Sequence, residues 1–354
     1  MNTIRHILRC LLSLAGIALL LSCSDSDGRK ARKEESRVVV AYVTSWSGCG
    51  VDPTRMTHIN YAFGGVGKDF SSVFVNNEGR LREVVSLKEK NPSLKVCLSV
   101  GGWGAGNFSE MAGDPSTRRS FAQDCRRVVD LYGLDGIDID WEYPTSSSSG
   151  ISSSEKDTEN YTLLMKDLRE ALGREKLLTL ASVCPAQYID FPSIMPYVDF
   201  VNVMSYDMGW APMHNAPLYK ALSPDETSPI VSYSVDEAIR AHLSSGVPSS
   251  KLVLGVPFYG RGDSDHYGGF VNYRDIHGPV EGDLEKWDPI ARVPYYSSPE
   301  GKLLLGFDNV PSMEEKCNYV LENSLLGIMY WEYSGDNDSG DLSRLIAKKI
   351  LLRE

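Results

Sequence analysis

Residues 134–143 read LDGIDIDWEY and place several acidic side chains in an otherwise apolar run. Successive side chains of a strand point to opposite faces, so Asp138, Asp140 and Glu142 form one row while the apolar residues between them face the other way. Carboxyl groups this close together in a poorly solvated place raise one another's pKa, and burial raises it further. At least one of them is therefore expected to stay protonated near neutral pH, which is the state that a general acid needs.

Glu142 is the outermost member of this row, about 13 Å from Asp138 at roughly 3.3 Å per residue, and is best placed to give a proton to a substrate. Two other interpretations stay open: a buried hydrogen-bonded network, and a Mg²⁺ or Mn²⁺ site. The network would bury three acids at a high cost in free energy. For a metal, no His or further acidic cluster follows at a suitable spacing. We expect neither a metal nor a cofactor.

The rest of the chain predicts a scaffold that could hold such a row. Eight short apolar segments rich in β-branched residues are separated by longer segments of helical periodicity, which favours a parallel sheet covered by helices. Eight such units close into a (β/α)₈ TIM barrel of the α/β class, whose functional residues lie at the carboxyl ends of the strands. The predicted strands are residues 37–43, 57–63, 94–100, 133–143, 177–184, 200–206, 251–259 and 325–331.

Several helix ends and connections are also readable. Asp114 before Pro115 predicts a helix start and Gly133 its end, while Ser312 followed by Glu315 predicts another start at Ser312. Only about 14 residues separate the first two strands, so the first helix should be short or missing. The serine-rich loop TSSSSGISSS after the fourth strand is predicted to be mobile. Residues 262–310, between strands seven and eight, are too many for a loop and predict a small β-containing insertion.

Residues 1–22 have the composition of an export signal, because Arg5 and Arg9 precede the short apolar run LLSLAGIALLL. The residues before Cys23 also resemble a bacterial lipobox, which implies cleavage before Cys23 and acylation of its sulfur; a plain secretory signal stays open as the alternative. Residues 23–36 are polar and charged and predict a flexible tether. We therefore expect a lipid-anchored protein of the bacterial cell envelope, periplasmic or on the outer membrane, with its folded domain at residues 37–354.

The composition limits the partners of the domain. The formal charge is −11 and is spread along the chain, so nothing supports nucleic-acid binding and an anionic substrate is disfavoured. A neutral ligand fits better, and we expect a monomer. The cysteines have no paired CxxC spacing, which makes zinc and a disulfide framework poor hypotheses.

The segment DGIDIDWE, residues 135–142, resembles the DxxDxDxE signature of the family 18 glycoside hydrolases, the chitinases and their relatives. Four further segments resemble strands of the same family: SVGGW (99–103), NVMSYD (202–207), GVPFYGR (255–261) and MYWE (329–332). The likeness covers about residues 37–350. It implies a retaining hydrolase that acts on polymers of β-1,4-linked N-acetylglucosamine by substrate-assisted catalysis, for which the usual second carboxylate is not needed.

The resemblance also implies roles for single residues. Glu142 would protonate the glycosidic oxygen, Asp140 would orient the substrate acetamide, Asp138 would share a proton with Asp140, and Tyr206 would reach the acetamide from another strand. Further positions fall where the family binds the substrate: Tyr42, Phe63, Ser99, Trp103, Tyr143, Met204, Asp207, Tyr259, Arg261 and Trp331. Of these, Ser99 would also support the acidic row from beneath.

Two other functions stay open beside a chitinase. The same motif serves endo-β-N-acetylglucosaminidases, which cut the chitobiose core of N-glycans. A non-catalytic, chitin-binding lectin on the same barrel is the third hypothesis, although such relatives typically lack the acid at the position of Glu142.

Overall fold

A computed structural model describes residues 37–220 and 232–352. The predicted signal sequence, the tether and the lipidation site at Cys23 lie outside the described residues and stay predictions. In the described part of the chain, no helix is both long and apolar enough to cross a membrane.

The strands and helices of the described residues alternate as a (β/α)₈ architecture requires. In chain order the strands are β1 (Val38–Thr44), β2 (His58–Val66), β3 (Val73–Val75), β4 (Lys95–Gly101), β5 (Gly136–Asp140), β6 (Leu177–Val183), β7 (Phe200–Met204), β8 (Leu252–Pro257), β9 (Tyr259–Gly262), β10 (Phe270–Asn272), β11 (Leu284–Asp288), β12 (Val293–Ser297), β13 (Leu303–Gly306) and β14 (Gly327–Trp331). The helices are α1 (Glu78–Ser86), α2 (Phe108–Gly113), α3 (Pro115–Tyr132), α4 (Asp157–Leu172), α5 (Phe191–Ile194), α6 (Val235–Ser244), α7 (Ser264–Tyr267), α8 (Val310–Glu322) and α9 (Asp341–Ile346).

Eight of these strands form one closed parallel barrel, which confirms the predicted fold class. The order is β1-β14-β8-β7-β6-β5-β4-β2, and β2 pairs again with β1 to close the ring. These eight strands correspond to the eight apolar segments of the sequence. The first unit is short as predicted, since only the three-residue 3₁₀ helix Pro53–Arg55 lies between β1 and β2.

The helix ends follow from capping. Asp114 caps α3 by accepting hydrogen bonds from the amides of its first turn, and Gly133 ends this helix in the left-handed region at φ 68°, both as predicted. The predicted start of α8 at Ser312 is wrong. Asn309 caps this helix, and Ser312 lies in its first turn, where its hydroxyl accepts the amide of Asn309 at 2.9 Å.

The segment between β8 and β14 carries a second sheet, antiparallel, with the order β10-β9-β13-β12-β11. We call residues 259–306 the insertion lobe. Only Phe258 separates β8 of the barrel from β9 of the lobe. One face of this sheet has its own apolar cluster, which includes Tyr296, Leu305 and Phe307. Tyr259 and Arg261 alternate with glycines on β9 and point to the opposite face, toward the mouth of the barrel.

Candidate active site

The acidic row lies inside the barrel, as the two-residue alternation predicts. Asp138 and Asp140 are buried on β5, with 0% and 4% of their surface exposed. The predicted strand is too long, however, because the pairing of β5 with β4 ends at Gly101 and Asp140. Glu142 therefore lies beyond the strand end, where its carboxyl group lines an open cavity at the carboxyl ends of the strands.

Asp138 forms the base of the site and is held by four hydrogen bonds. Its Oδ2 accepts from the hydroxyls of Tyr42 and Ser99, each at 2.8 Å. Its Oδ1 accepts from Thr179 at 2.6 Å and from the amide of Asn202 at 3.2 Å. These donors come from four strands of the barrel, so the carboxyl group of Asp138 is fixed in position. Ser99 supports Asp138 from below, as predicted, but it does not line the cavity, so its prediction as a substrate-binding residue is wrong.

Asp140 differs from its neighbour two residues below. Its Oδ1 is buried and has no hydrogen-bond partner in the described part of the chain. Burial, followed by the charges of Glu142 and Asp138, raises the pKa of Asp140 well above its usual value. The described hydrogen bonds include none between Asp138 and Asp140, so no direct contact supports the shared proton that the resemblance implies. Asp140 instead presents a free acceptor next to Glu142.

Glu142 has the protonation behaviour of a general acid. Burial raises its pKa to about 7, a hydrogen bond from Tyr143 lowers it, and the negative charge of Asp207 raises it. A carboxyl group with this pKa is half protonated near neutral pH, so it can both give and accept a proton in one cycle.

The cavity above these acids has a volume of about 790 Å³. Twelve predicted site residues line it: Tyr42, Phe63, Trp103, Asp140, Glu142, Tyr143, Met204, Tyr206, Asp207, Tyr259, Arg261 and Trp331. Seven further lining residues were not predicted: Trp46, Gly101, Gly102, Val183, Cys184, Trp210 and Phe270. Trp46, Trp103 and Trp210 are each more than half exposed. Large exposed aromatic side chains around a cleft are suited to stack on the apolar faces of sugar rings.

Trp331 lies at the centre of an aromatic group beside the acids. Its ring stacks on Phe63 at a centroid distance of 5.6 Å and contacts Tyr42 at the same distance. Trp46 adds an outer ring at 6.5 Å from Trp331. Trp46 follows the end of β1 by two residues, and aromatic residues just after a barrel strand are the signal that could have identified it.

Asp207 is the third acid of the cavity and is held by partners from the insertion lobe. Arg261 donates two hydrogen bonds to it at 2.7 and 2.8 Å, and the Tyr259 hydroxyl donates a third at 2.8 Å. The guanidinium group of Arg261 also lies 5.4 Å from the ring of Trp210 and 5.3 Å from that of Phe270. Asp207 is thus paired, and neither of its oxygens is free to act as a nucleophile.

No group of three or more His, Cys, Asp or Glu residues that could hold a metal ion occurs in residues 37–220 and 232–352. The cysteines in these ranges are free thiols, and Cys184 points its sulfur at the carbonyl oxygen of Met204, 2.9 Å away.

Comparisons with known proteins agree with this geometry. The model of the family "Glycosyl hydrolases family 18" matches residues 38–336. Chitinase A1 of Niallia circulans is 32% identical over 87% of this chain, and the chain spans 58% of that protein's length. Chitotriosidase-1 of Mus musculus is 32% identical, with 85% of this chain and 74% of that protein aligned. The crystal structure of Ostrinia furnacalis Group IV chitinase in complex with allosamidin has a TM-score of 0.79 and 31% identity, and covers 89% of this chain and 99% of its own.

Proposed function

Because the chain belongs to glycosyl hydrolase family 18 and is therefore a chitinase-like glycoside hydrolase, we propose that it cleaves β-1,4 bonds within chitin or chito-oligosaccharides with retention of configuration. Asp140 carries this proposal. A buried carboxylate oxygen without a partner, next to an acid with a pKa of about 7, is ready to accept a hydrogen bond from a substrate amide. The acetamido N–H of N-acetylglucosamine supplies such a donor.

The proposed reaction uses the substrate's own acetamido group as the nucleophile. Glu142 donates its proton to the glycosidic oxygen, the bond from this oxygen to the anomeric carbon breaks, and the acetamide oxygen bonds to that carbon. The resulting oxazolinium ion carries a positive charge, which the carboxylate of Asp140 stabilises. Glu142 then removes a proton from water as the water opens the ring, which retains the configuration and restores the acid.

The other acid of the cavity supports this scheme by its pairing. A conventional retaining enzyme needs a second carboxylate as nucleophile. Asp207 is the remaining candidate in the cavity lining, and it is bonded to Arg261 and Tyr259. Burial, followed by the charge of Asp140, keeps the pKa of Tyr206 well above its usual value, so its phenol stays protonated and can donate to the acetamide oxygen.

The proposal is tested with Glu142→Gln and a 4-methylumbelliferyl chitobioside. Loss of the proton donor should lower kcat by about 10²–10⁴, while binding of the oligosaccharide is kept. Turnover by the variant at the wild-type rate would remove Glu142 from its role, and binding by the wild-type protein without any turnover would favour the lectin hypothesis. The product profile on chitin oligomers beside a high-mannose glycopeptide decides the substrate. Cleavage inside the chitobiose core alone would favour the N-glycan alternative.

We also propose that the enzyme is exported and anchored by a lipid on Cys23. This proposal rests only on the sequence pattern of residues 1–36. Cys23→Ser should move the protein from the detergent phase to the aqueous phase when cells are extracted. A wild-type protein that is already in the aqueous phase would leave the plain secretory signal as the better hypothesis.

A further inference from the structure

Asn215 lies in the loop that follows β7, and both polar atoms of its side chain have hydrogen-bond partners. It is 1% exposed. Its Oδ1 accepts the backbone amide of Asp207 at 2.9 Å, and its Nδ2 donates to the carbonyl oxygen of Tyr259 at 3.1 Å. Its own carbonyl oxygen accepts the amide of Met208 at 2.9 Å, which closes the loop on itself.

The backbone of Asp207 needs this support. Its φ is 55°, in the left-handed region, where a residue with a Cβ atom pays about 1–2 kcal/mol. This turn aims the carboxylate of Asp207 at the insertion lobe, where Arg261 and Tyr259 bind it. The hydrogen bond from the amide of Asp207 to Asn215 holds the turn in place.

Asn215 also connects the barrel with the insertion lobe. Tyr259, whose carbonyl oxygen it binds, is the first residue of β9, and Arg261 lies on the same face of that strand. The side-chain amide of Asn215 therefore fixes the backbone on both sides of the contact between Asp207 and Arg261. Trp210, whose ring lies 5.4 Å from the guanidinium group, belongs to the loop that Asn215 closes.

We propose that Asn215 is a positioning residue for the reaction at Glu142, acting by holding Asp207 against Arg261 and Tyr259. This inference rests on the proposed function, because it assigns to Asn215 a part in the proton transfer. A residue that merely stabilises the loop would change stability and leave the titration of Glu142 as it is. A residue that places the charge of Asp207 must change that titration.

The experiment follows the carboxyl ¹³C resonance of Glu142 with pH, which needs no turnover, beside kcat/KM on the chitobioside. Asp207 and Glu142 line the same cavity, and the negative charge of Asp207 raises the pKa of Glu142. In Asn215→Ala this charge is no longer held in its place, so the midpoint of Glu142 should fall. In Asp207→Asn the midpoint should fall further, and adding Asn215→Ala to this variant should have little additional effect, because both changes act through one charge. Additive shifts, or an unchanged midpoint in Asn215→Ala, would overturn the proposal.

Two variants separate positioning from folding. His214→Leu removes the neighbouring buried contact of His214 with Asp288, and the described hydrogen bonds of Asp207 and Tyr259 do not involve His214, so the midpoint should stay at the wild-type value. An equal shift in this control would show that any damage to the loop suffices. Asn215→Asp keeps the shape, and its carboxyl group can make both contacts only when it is protonated, so its kcat/KM should approach the wild-type value as the pH is lowered. A loss of kcat/KM that is the same at every pH would contradict the proposal.

The two ideas fail in different ways. If the wild-type protein does not cleave the chitobioside, the proposed function fails, and the resonance of Glu142 still shows whether Asn215 places the charge of Asp207. If cleavage occurs and the midpoints of all variants coincide, the function stands and the role of Asn215 falls.

Discussion

Asp138 and Asp140 lie two residues apart on the same face of one strand, yet Asp138 accepts four hydrogen bonds and Asp140 has a buried oxygen that accepts none. The lower carboxyl group is satisfied by the fold, and the upper one is left for a ligand. This asymmetry implies that burial of Asp140 lowers the stability of the folded protein, because no described hydrogen bond to the buried oxygen compensates for its lost hydration.

Asp140→Asn should therefore stabilise the protein while it removes activity. The folded-state pKa of Asp140 is raised, first by burial and then by its acidic neighbours. Ionisation of Asp140 therefore destabilises the folded state increasingly as the pH rises above 3.8, the pKa in the unfolded chain. At pH 7 the free energy of unfolding of the variant should exceed that of the wild type by up to about 1.4 kcal/mol for each unit by which the fold raises the pKa of Asp140. Denaturant unfolding at pH 7 and at pH 3.5 measures the difference, which should vanish at the lower pH. A destabilised variant at pH 7 would contradict the unpartnered state of Asp140.

The pH profile of kcat/KM should fall as pH rises through about 7, because Glu142 must be protonated to act and its pKa is raised to about 7. Asp207→Asn removes a charge that raises this pKa, so the falling limb should move to lower pH. Arg261→Gln removes the cation that faces Asp207 and should move the limb to higher pH. Initial rates between pH 4 and pH 9 test both directions, and shifts of the same sign in the two variants would exclude this electrostatic explanation.

Gly101 should tolerate no side chain. It ends β4 at φ +128°, and a Cβ atom there would lie 1.9 Å from the carbonyl oxygen of Asp140. Gly101→Ala must push the strand that carries the acids, so we expect a loss of several kcal/mol in stability, on the order of a severe core mutation, and little turnover. Gly106 has open space around its Cβ position, and Gly106→Ala is the matched control, with stability and turnover near wild type. Thermal unfolding and the chitobioside assay compare them, and equal behaviour would refute the close approach.

The ion pair between Lys316 and Asp308 is buried and lies away from the cavity. The Lys316 nitrogen contacts both oxygens of Asp308 at 2.6 and 2.7 Å, and the two side chains are at most 1% exposed. Lys316→Ala leaves the buried carboxylate of Asp308 without its cation, with a hydrogen bond from the Ser312 hydroxyl at 2.7 Å, and should cost about 3–5 kcal/mol of unfolding free energy. The double variant with Lys316→Met and Asp308→Leu should recover most of this loss, with kcat unchanged in the folded protein. Failure to recover would mean that the pair itself, and not the unpaired charge, determines the stability.

The sequence predicted the elements that depend on local periodicity. The apolar segments defined the eight barrel strands, and the two-residue alternation placed Asp138 and Asp140 in the interior, because both patterns reflect the pleat of a strand. The end of β5 was missed, since the strand stops where its pairing with β4 stops, and pairing depends on distant residues. The helix start at Asn309 was missed because Asn309 and Ser312 can each act as a cap, and only the course of the chain decides between them.

Residues on loops were the other class that the sequence did not identify. Trp210 and Phe270 reach the cavity only because the loop after β7 and the edge strand of the lobe fold back toward the barrel. Asn215 carries no motif of its own in a single sequence, and its partners lie 8 and 44 residues away along the chain. Tertiary contacts of this kind become visible only when the folded chain brings the partners together.

The passage from β8 to β9 consists of Phe258 alone, which is fully buried and stacks on Tyr330 at 4.4 Å. The return from β13 to α8 is also short and consists of residues 307–309. Two short connections hold the lobe beside the barrel, so that the lobe forms one wall of the cleft. The space beside Phe270 on this wall then limits which substituents of a sugar chain fit, and a smaller residue at this position should widen it.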